Sequence, residues 1–152
     1  MKSLRESARN SGSRPLRIFV DANTVVSGLL FEGNEAVLLR LGRIGACKLM
    51  ATRYVMDEVA SVLQTEEFNL TQDEIESLTS FANKWLHVHE NLRREEIRKY
   101  ISQFHDKKDA HVWAGFEKLV CDVLVTGDKE LLKKIPGART TRQTLNLLLS
   151  EK

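Results

Sequence analysis

Four carboxylates stand apart from the other acidic residues of this chain by position. Asp21 directly follows the apolar run Arg17-Ile18-Phe19-Val20, and Asp128 lies just past Val123-Leu124-Val125. Glu58 and Asp109 fall instead in the opening turns of segments with helical apolar spacing. Glu58 sits between Val55 and Val62 at offsets of three and four, and Asp109 precedes Val112, Trp113 and Phe116 by three, four and seven. Each therefore projects on or beside a buried face. Asp57 shares its side of the wheel with Ser61 and Gln64 and is expected to be solvated. An ionised group buried without compensation costs several kcal/mol, and the usual remedies are an ion pair, a raised pKa or a metal ion. Four such anions brought together repel one another unless a cation neutralises them. An all-oxygen set suits Mg²⁺ or Mn²⁺. Such ions lower the pKa of a bound water and stabilise charge on a phosphate undergoing in-line displacement. The chemistry indicated is metal-dependent phosphodiester hydrolysis.

The elements around these residues predict how they meet. Val112, Trp113, Phe116, Leu119 and Val120 recur at i, i+1, i+4, i+7 and i+8, which is one helical face, and Asp106 is a good N-cap for it. The β-branched run before Gly127 suits a strand buried on both faces of a parallel sheet. A further helix is expected over residues 34–42, ended by Gly42, and a strand over residues 47–51 leads into a helix capped by Thr52 with Val55, Val59, Val62 and Leu63 as its stripe. Thr71-Gln72-Asp73-Glu74 is a capping-box signature for a helix with Ile75, Leu78, Ala82, Trp85 and Leu86 on one side. Residues 86–89 read as a short strand whose His87 and His89 are exposed, and Ile97, Tyr100, Ile101 and Phe104 mark an amphipathic helix. A helical turn over residues 129–134, a turn at Pro136-Gly137 and a last helix with Leu145, Leu148 and Leu149 complete the chain. In a parallel α/β layer the carboxyl ends of strands and the following helix starts share one edge, so Asp21, Glu58, Asp109 and Asp128 should converge there.

At 152 residues, 42% hydrophobic and 29% charged, the chain has the size and composition of one soluble domain. It shows no internal repeat and no dividing linker, no apolar run long enough for a membrane span and no secretory signal, so a cytoplasmic location is expected. Cys47 and Cys121 lie in apolar segments without metal-type spacing and read as buried thiols. The formal net charge of +2 is uneven: residues 1–15 carry +3, which leaves −1 for the rest. That Ser- and Arg-rich tail lacks an apolar period and reads as disordered. A basic pI alone is thus weak evidence for nucleic acid.

The residues resemble a family. The run from Val20 through Gly28, Glu58 early in its helix, Lys107-Lys108-Asp109-Ala110, and Val123 through Leu132 with its Thr126-Gly127-Asp128-Lys129-Glu130-Leu131-Leu132 are similar to the successive motifs of PIN domains, above all those of toxins in toxin-antitoxin pairs. The resemblance spans residues 16–149. It implies a three-layer α/β/α fold with a parallel sheet of about five strands, and a Mg²⁺- or Mn²⁺-dependent ribonuclease. By position, Asp21, Glu58, Asp109 and Asp128 match the family's acidic metal-site residues, and Asn23 and Thr126 match polar residues that orient ligands or waters beside the metal. Two departures are Ala22, where Thr is common, and Trp113-Ala114-Gly115-Phe116 in place of a small, Ala-rich run. The resemblance also implies an RNA substrate, an antitoxin covering the acidic edge, and a homodimer for which the helices at 71–86 and 94–104 are candidate interface elements.

Lys107, Lys108, Lys129 and Arg142 lie near the expected edge, with Arg53 similar; they either contact RNA phosphates or offset the acidic cluster. Tyr54 is a candidate base-stacking ring, whereas Trp113 belongs to an apolar stripe and reads as core. Two other classes compete with a nuclease. A receiver-type phosphorylation domain wants adjacent acids after its first strand, and here Asp21 is followed by Ala22 and Asn23. A non-catalytic or degenerate module binding RNA or protein would retain the fold without the chemistry.

Overall fold

The structure is a computed structural model and describes residues 14–104 and 106–150. The reading of residues 1–15 as a disordered tail lies outside the described residues except at Arg14 and Pro15, where Arg14 forms a two-pronged ion pair with Asp122 at 2.9 and 3.0 Å.

Five strands form one fully parallel sheet: β1 (Arg17–Val20), β2 (Lys48–Thr52), β3 (His87–His89), β4 (Val123–Val125) and β5 (Ala138–Arg139), in the order β3-β2-β1-β4-β5. β1 is central because it is entirely apolar after Arg17, and its Ile18, Phe19 and Val20 are completely buried. Phe19 pairs with Met50 of β2 on one side and Leu124 of β4 on the other. The chain first winds from β1 through α1 (Ala22–Leu30) and α2 (Asn34–Arg43) to β2, then through α3 (Arg53–Leu63) and α4 (Gln72–Trp85) to β3. It next crosses back over β2 and β1 through α5 (Arg94–Ile101) and α6 (Lys107–Lys118) to reach β4, and α7 (Lys129–Lys134) leads to β5. Right-handed crossovers put the helices of these two windings on opposite faces of the sheet, giving three layers. The last helix, α8 (Thr141–Ser150), packs on α2. This is the expected α/β/α architecture.

The reversal of winding direction makes the β1–β4 junction the topological switch point, where the strands' carboxyl ends part and leave a crevice. Asp21 N–H donates to Val125 O across it at 3.4 Å. α6 closes against the sheet through small residues: a methyl group built on Gly115 would come within 2.8 Å of the Phe19 ring and 3.3 Å of Thr52.

Three local expectations are corrected. The first glycine-ended helix does not stop at Gly42: it runs to Arg43, and the chain turns at Gly45 with φ of 85°. Gly42 is there for proximity, since a Cβ would sit 2.4 Å from Leu49 Cδ1. Val120 is not part of the buried stripe of α6. The helix ends at Lys118, Val120 adopts φ of 52° and is 53% exposed, and the carbonyls are satisfied by Val120 N–H to Glu117 O and Cys121 N–H to Phe116 O. That is a Schellman ending with valine where glycine is usual, held by Arg17, whose Nε donates to Val120 O at 3.2 Å. In α8, Leu149 is 63% exposed while Leu145 is buried, because Thr141 and Thr144 take the other inward positions. Cys47 and Cys121 are both buried and neither is in a disulfide, and burial pushes the Cys47 thiol up to about 11.

Candidate functional site

Each expected acid is delivered by a helix start. Asp21 caps α1, its Oδ1 accepting from Thr24 N–H at 2.9 Å. Asp128 caps α7, its Oδ1 accepting from the N–H groups of Glu130 and Leu131 at 2.8 and 3.2 Å. Asp106 caps α6 by accepting from Lys108 N–H at 2.9 Å, which sets Asp109 one turn further in. Thr52 caps α3, one and a half turns before Glu58. At Asp21, Thr52 and Asp128 a strand of the parallel sheet hands its chain straight to a helix whose first N–H groups want an acceptor.

Asp21, Glu58, Asp109 and Asp128 all line one cleft of about 410 Å³ at the switch point. Asp106 lines it too. This fifth acid was identified in the sequence only as a helix cap, although its offset of three from Asp109 places both on one face of the helix. Thr126 ties two of the acids together from beneath. It is buried, its hydroxyl donates to Asp21 Oδ2 at 2.7 Å, and the same oxygen accepts from Asp128 N–H at 3.0 Å. Asn23 is exposed at the mouth, shared by this cleft and a second of about 320 Å³ that runs along α1 toward Arg142.

The electrostatics of the cleft concentrate on Asp109. Its carboxyl is pushed up to about 6, first by burial and then by the charges of Asp128, Asp106, Glu130 and Asp21. Among the described residues nothing donates a hydrogen bond to it, so its ionised form is uncompensated. Glu58 does have a partner: Lys108 Nζ stands 3.6 Å from its Oε2.

The expected basic residues separate. Lys108 lines the acidic cleft, Arg142 lines the second cleft, and Lys107 lines a different groove along α5. Lys129 is exposed and Arg53 is exposed at the start of α3. Tyr54, the candidate stacking ring, lies flat on His111 with centroids 3.7 Å apart and 2° between planes. Its hydroxyl is shifted upward by burial and by Glu58. Trp113 is enclosed by Tyr100 and Phe104 at 5.2 and 5.3 Å, the packing role expected of it. His87 and His89 are exposed, as expected.

By donor type the cleft fits a hard divalent cation, since its polar lining is dominated by carboxylate oxygen and Asp109 holds an ionisable oxygen pair with no donor. Among the described residues no three His, Cys, Asp or Glu side chains form a ready-made ligand group. Mg²⁺ retains several waters and draws on only one or two carboxylates directly, so the donor set remains chemically suitable.

The family model of the PIN domain matches residues 17–130, most of the chain and a span within which the four expected acids fall. The chain belongs to the PIN domain family. Membership supports a nuclease-type function. Among solved structures, the fold is similar to PAE2754 from Pyrobaculum aerophilum, with a TM-score of 0.69 at 20% identity over 90% of this chain and 97% of that one. It is also similar to the Mycobacterium tuberculosis toxin VapC20, a toxin that cleaves the sarcin-ricin loop, with a TM-score of 0.55 at 14% identity over 76% of this chain and 93% of that one. No curated protein matches the sequence. Among the described residues no helix is long and apolar enough to cross a membrane.

Proposed function

We propose that this PIN domain is a metal-dependent ribonuclease, with Asp21, Glu58, Asp109 and Asp128 as its acidic centre. The observation that carries the reading is the convergence of these four carboxylates, with Asp106, on one cleft at the switch point of the sheet. In this reading Asp21, Glu58, Asp109 and Asp128 would hold Mg²⁺ or Mn²⁺ together with retained water, since such an ion draws on only one or two carboxylates directly. The ion supplies neutralisation of the acids, a more acidic bound water and stabilisation of charge on the phosphate.

The chain's own residues set up the reaction. Thr126 and the α1 amide fix both oxygens of Asp21, and the α7 amides fix one oxygen of Asp128 and leave the other for the cleft. Asp109 sheds its proton as pH rises through about 6, so the cleft gains its full negative charge only above that value. Hydrolysis forms one bond from a water oxygen to phosphorus and breaks one phosphorus–ester oxygen bond, with a water proton passing to the leaving oxygen. Asn23 at the mouth orients water or phosphate, and Lys108, Lys129 and Arg142 meet the flanking backbone phosphates as point charges.

The biological setting proposed is that of a toxin acting in the cytoplasm as a homodimer, with a cognate antitoxin that inserts a basic side chain into the acidic cleft. The similarity to VapC20 in fold and the acidic lining support that setting. The test is cleavage of a panel of structured and single-stranded RNAs with Mn²⁺ or Mg²⁺, with EDTA and the D109N variant as controls. Metal-dependent cutting that D109N loses is expected. A metal-loaded wild type that cuts none of the panel, or cutting that persists in D109N, overturns the reading in favour of a non-catalytic module or a different centre.

A further inference from the structure

Beside the acidic cleft, across the first turn of α6, lies a groove of about 530 Å³ between α5, α6 and the segment after β3. Its charged lining is all of one sign. Arg94 and Arg98 stand one turn apart on α5, and Lys107 stands one turn before His111 on α6. Among the described residues none of Arg94, Arg98 and Lys107 has an acidic partner. The acids of α5 are committed elsewhere: Glu96 binds Lys118 at 2.7 Å and Arg93 at 3.6 Å, and Glu95 faces Arg93 at 3.7 Å. The lining also includes apolar Leu92 and a 42% exposed Ile101.

The groove is a built feature. The Glu96–Lys118 pair and the rings of Tyr100, Phe104 and Trp113 lock α5 onto α6, so the cations are presented on one rigid unit. It also connects to the cleft. His111 lines the groove and stacks on Tyr54, which is one turn ahead of Glu58 on α3, and Glu58 lines the cleft.

We infer that this groove is a single-stranded RNA subsite that holds the strand flanking the cleavage point, with phosphates on Arg94, Arg98 and Lys107 and bases against Leu92 and Ile101. The inference rests on the ribonuclease reading for its choice of occupant. Charge complementarity requires an anion, Leu92 and Ile101 beside the cations offer apolar surface to bases, and the groove lies next to the cleft that would cut it. The placement is one-sided. It holds the strand to one side of the acidic centre, next to the Tyr54–His111 pair.

The test is fluorescence anisotropy of a labelled single-stranded RNA of about 15 nucleotides in EDTA, comparing wild type with an R94Q/R98Q double variant across a salt series. Both arginines are exposed, and unchanged thermal unfolding checks that the variant is folded. The expected result is an affinity about tenfold weaker near 0.1 M salt, and a log–log salt slope shallower by about 1.4, since each single-strand phosphate contact contributes about 0.7. Equal affinity and slope would overturn the inference. So would tighter binding of an acidic peptide than of RNA, lost in the same variant, which would make the groove a protein-docking site. The outcome is separable from the ribonuclease reading: weakened binding in a protein that cuts no RNA leaves the subsite standing and removes the nuclease, and intact cutting with unchanged binding does the reverse.

Discussion

Replacing Asp109 by Asn should stabilise the metal-free protein while removing its cleavage activity. Asp109 titrates at about 6 instead of 3.8, because it is partly buried and faces Asp128, Asp106, Glu130 and Asp21. At face value that difference is worth roughly 3 kcal/mol, at 1.36 kcal/mol for each pKa unit. The side chain is only partly buried, and screening by solvent reduces the figure to about 1–2 kcal/mol. The sign follows from linkage. A carboxyl whose folded pKa is raised favours the folded state in its protonated form. That contribution is complete below the unfolded value of 3.8, drains away as pH rises, and is gone above about 6. Asparagine resembles the protonated form at every pH. In EDTA at about pH 7.5 the variant should therefore melt about 2–8 °C above wild type for a domain of this size, and the gap should shrink to less than half near pH 4.5. Added Mn²⁺ should raise the melting temperature of wild type more than that of the variant, because only wild type presents the full set of anions. Differential scanning fluorimetry over a pH series measures all of this. A variant that melts at or below wild type in EDTA at neutral pH would refute the electrostatic account of the cleft.

Thr126→Val should lower stability by about 1–3 kcal/mol and cut activity, because it strips a donor from Asp21 and an acceptor from the Asp128 amide inside the fold, while Thr126→Ser retains most of both. Urea midpoints with parallel cleavage assays distinguish the pair, and equal behaviour of the valine and serine variants would count against the bridge. Gly115→Ala should cost about 1–3 kcal/mol by forcing a methyl to within 2.8 Å of the buried Phe19 ring. A double-mutant cycle with Phe19→Leu should recover part of that cost, and full additivity would show that the contact is not its source.

Most of the architecture could be read from the sequence because strand and helix alternate with clear periods and because caps are local. Thr52, Thr71 and Asp106 each cap the helix expected of them. The acids were legible for a related reason: in a parallel sheet, position after a strand is already position at the site. What stayed hidden depends on contacts distant in sequence. Gly42 read as a helix stop, and only the approach of Leu49 reveals its purpose. Val120 continued an apolar period, yet Arg17 from the neighbouring strand secures it in a left-handed turn. The α5 groove escaped notice because Arg93, Arg94, Arg98 and Lys99 alternate with acids along the chain, and the mixture looks neutral until the ion pairs remove Glu95 and Glu96 from consideration.

The run Lys107-Lys108-Asp109 shows why a linear charge pattern misleads on a helix. Successive residues point about 100° apart, so three neighbours serve three directions. Lys107 faces the groove beside α5, Lys108 reaches across to Glu58 of α3, and Asp109 enters the acidic cleft. Read as a string, the two lysines look like a counter-charge to the aspartate. In the fold, one is spent on a different acid and the other looks into a different cavity, and Asp109 keeps the uncompensated charge that lifts its pKa. The same turn thus commits the cleft's lysine to Glu58, away from Asp109, and leaves the groove short of anions. Such a division suits the proposed subsite, which would hold a polyanion to one side of a centre that repels it in the absence of metal.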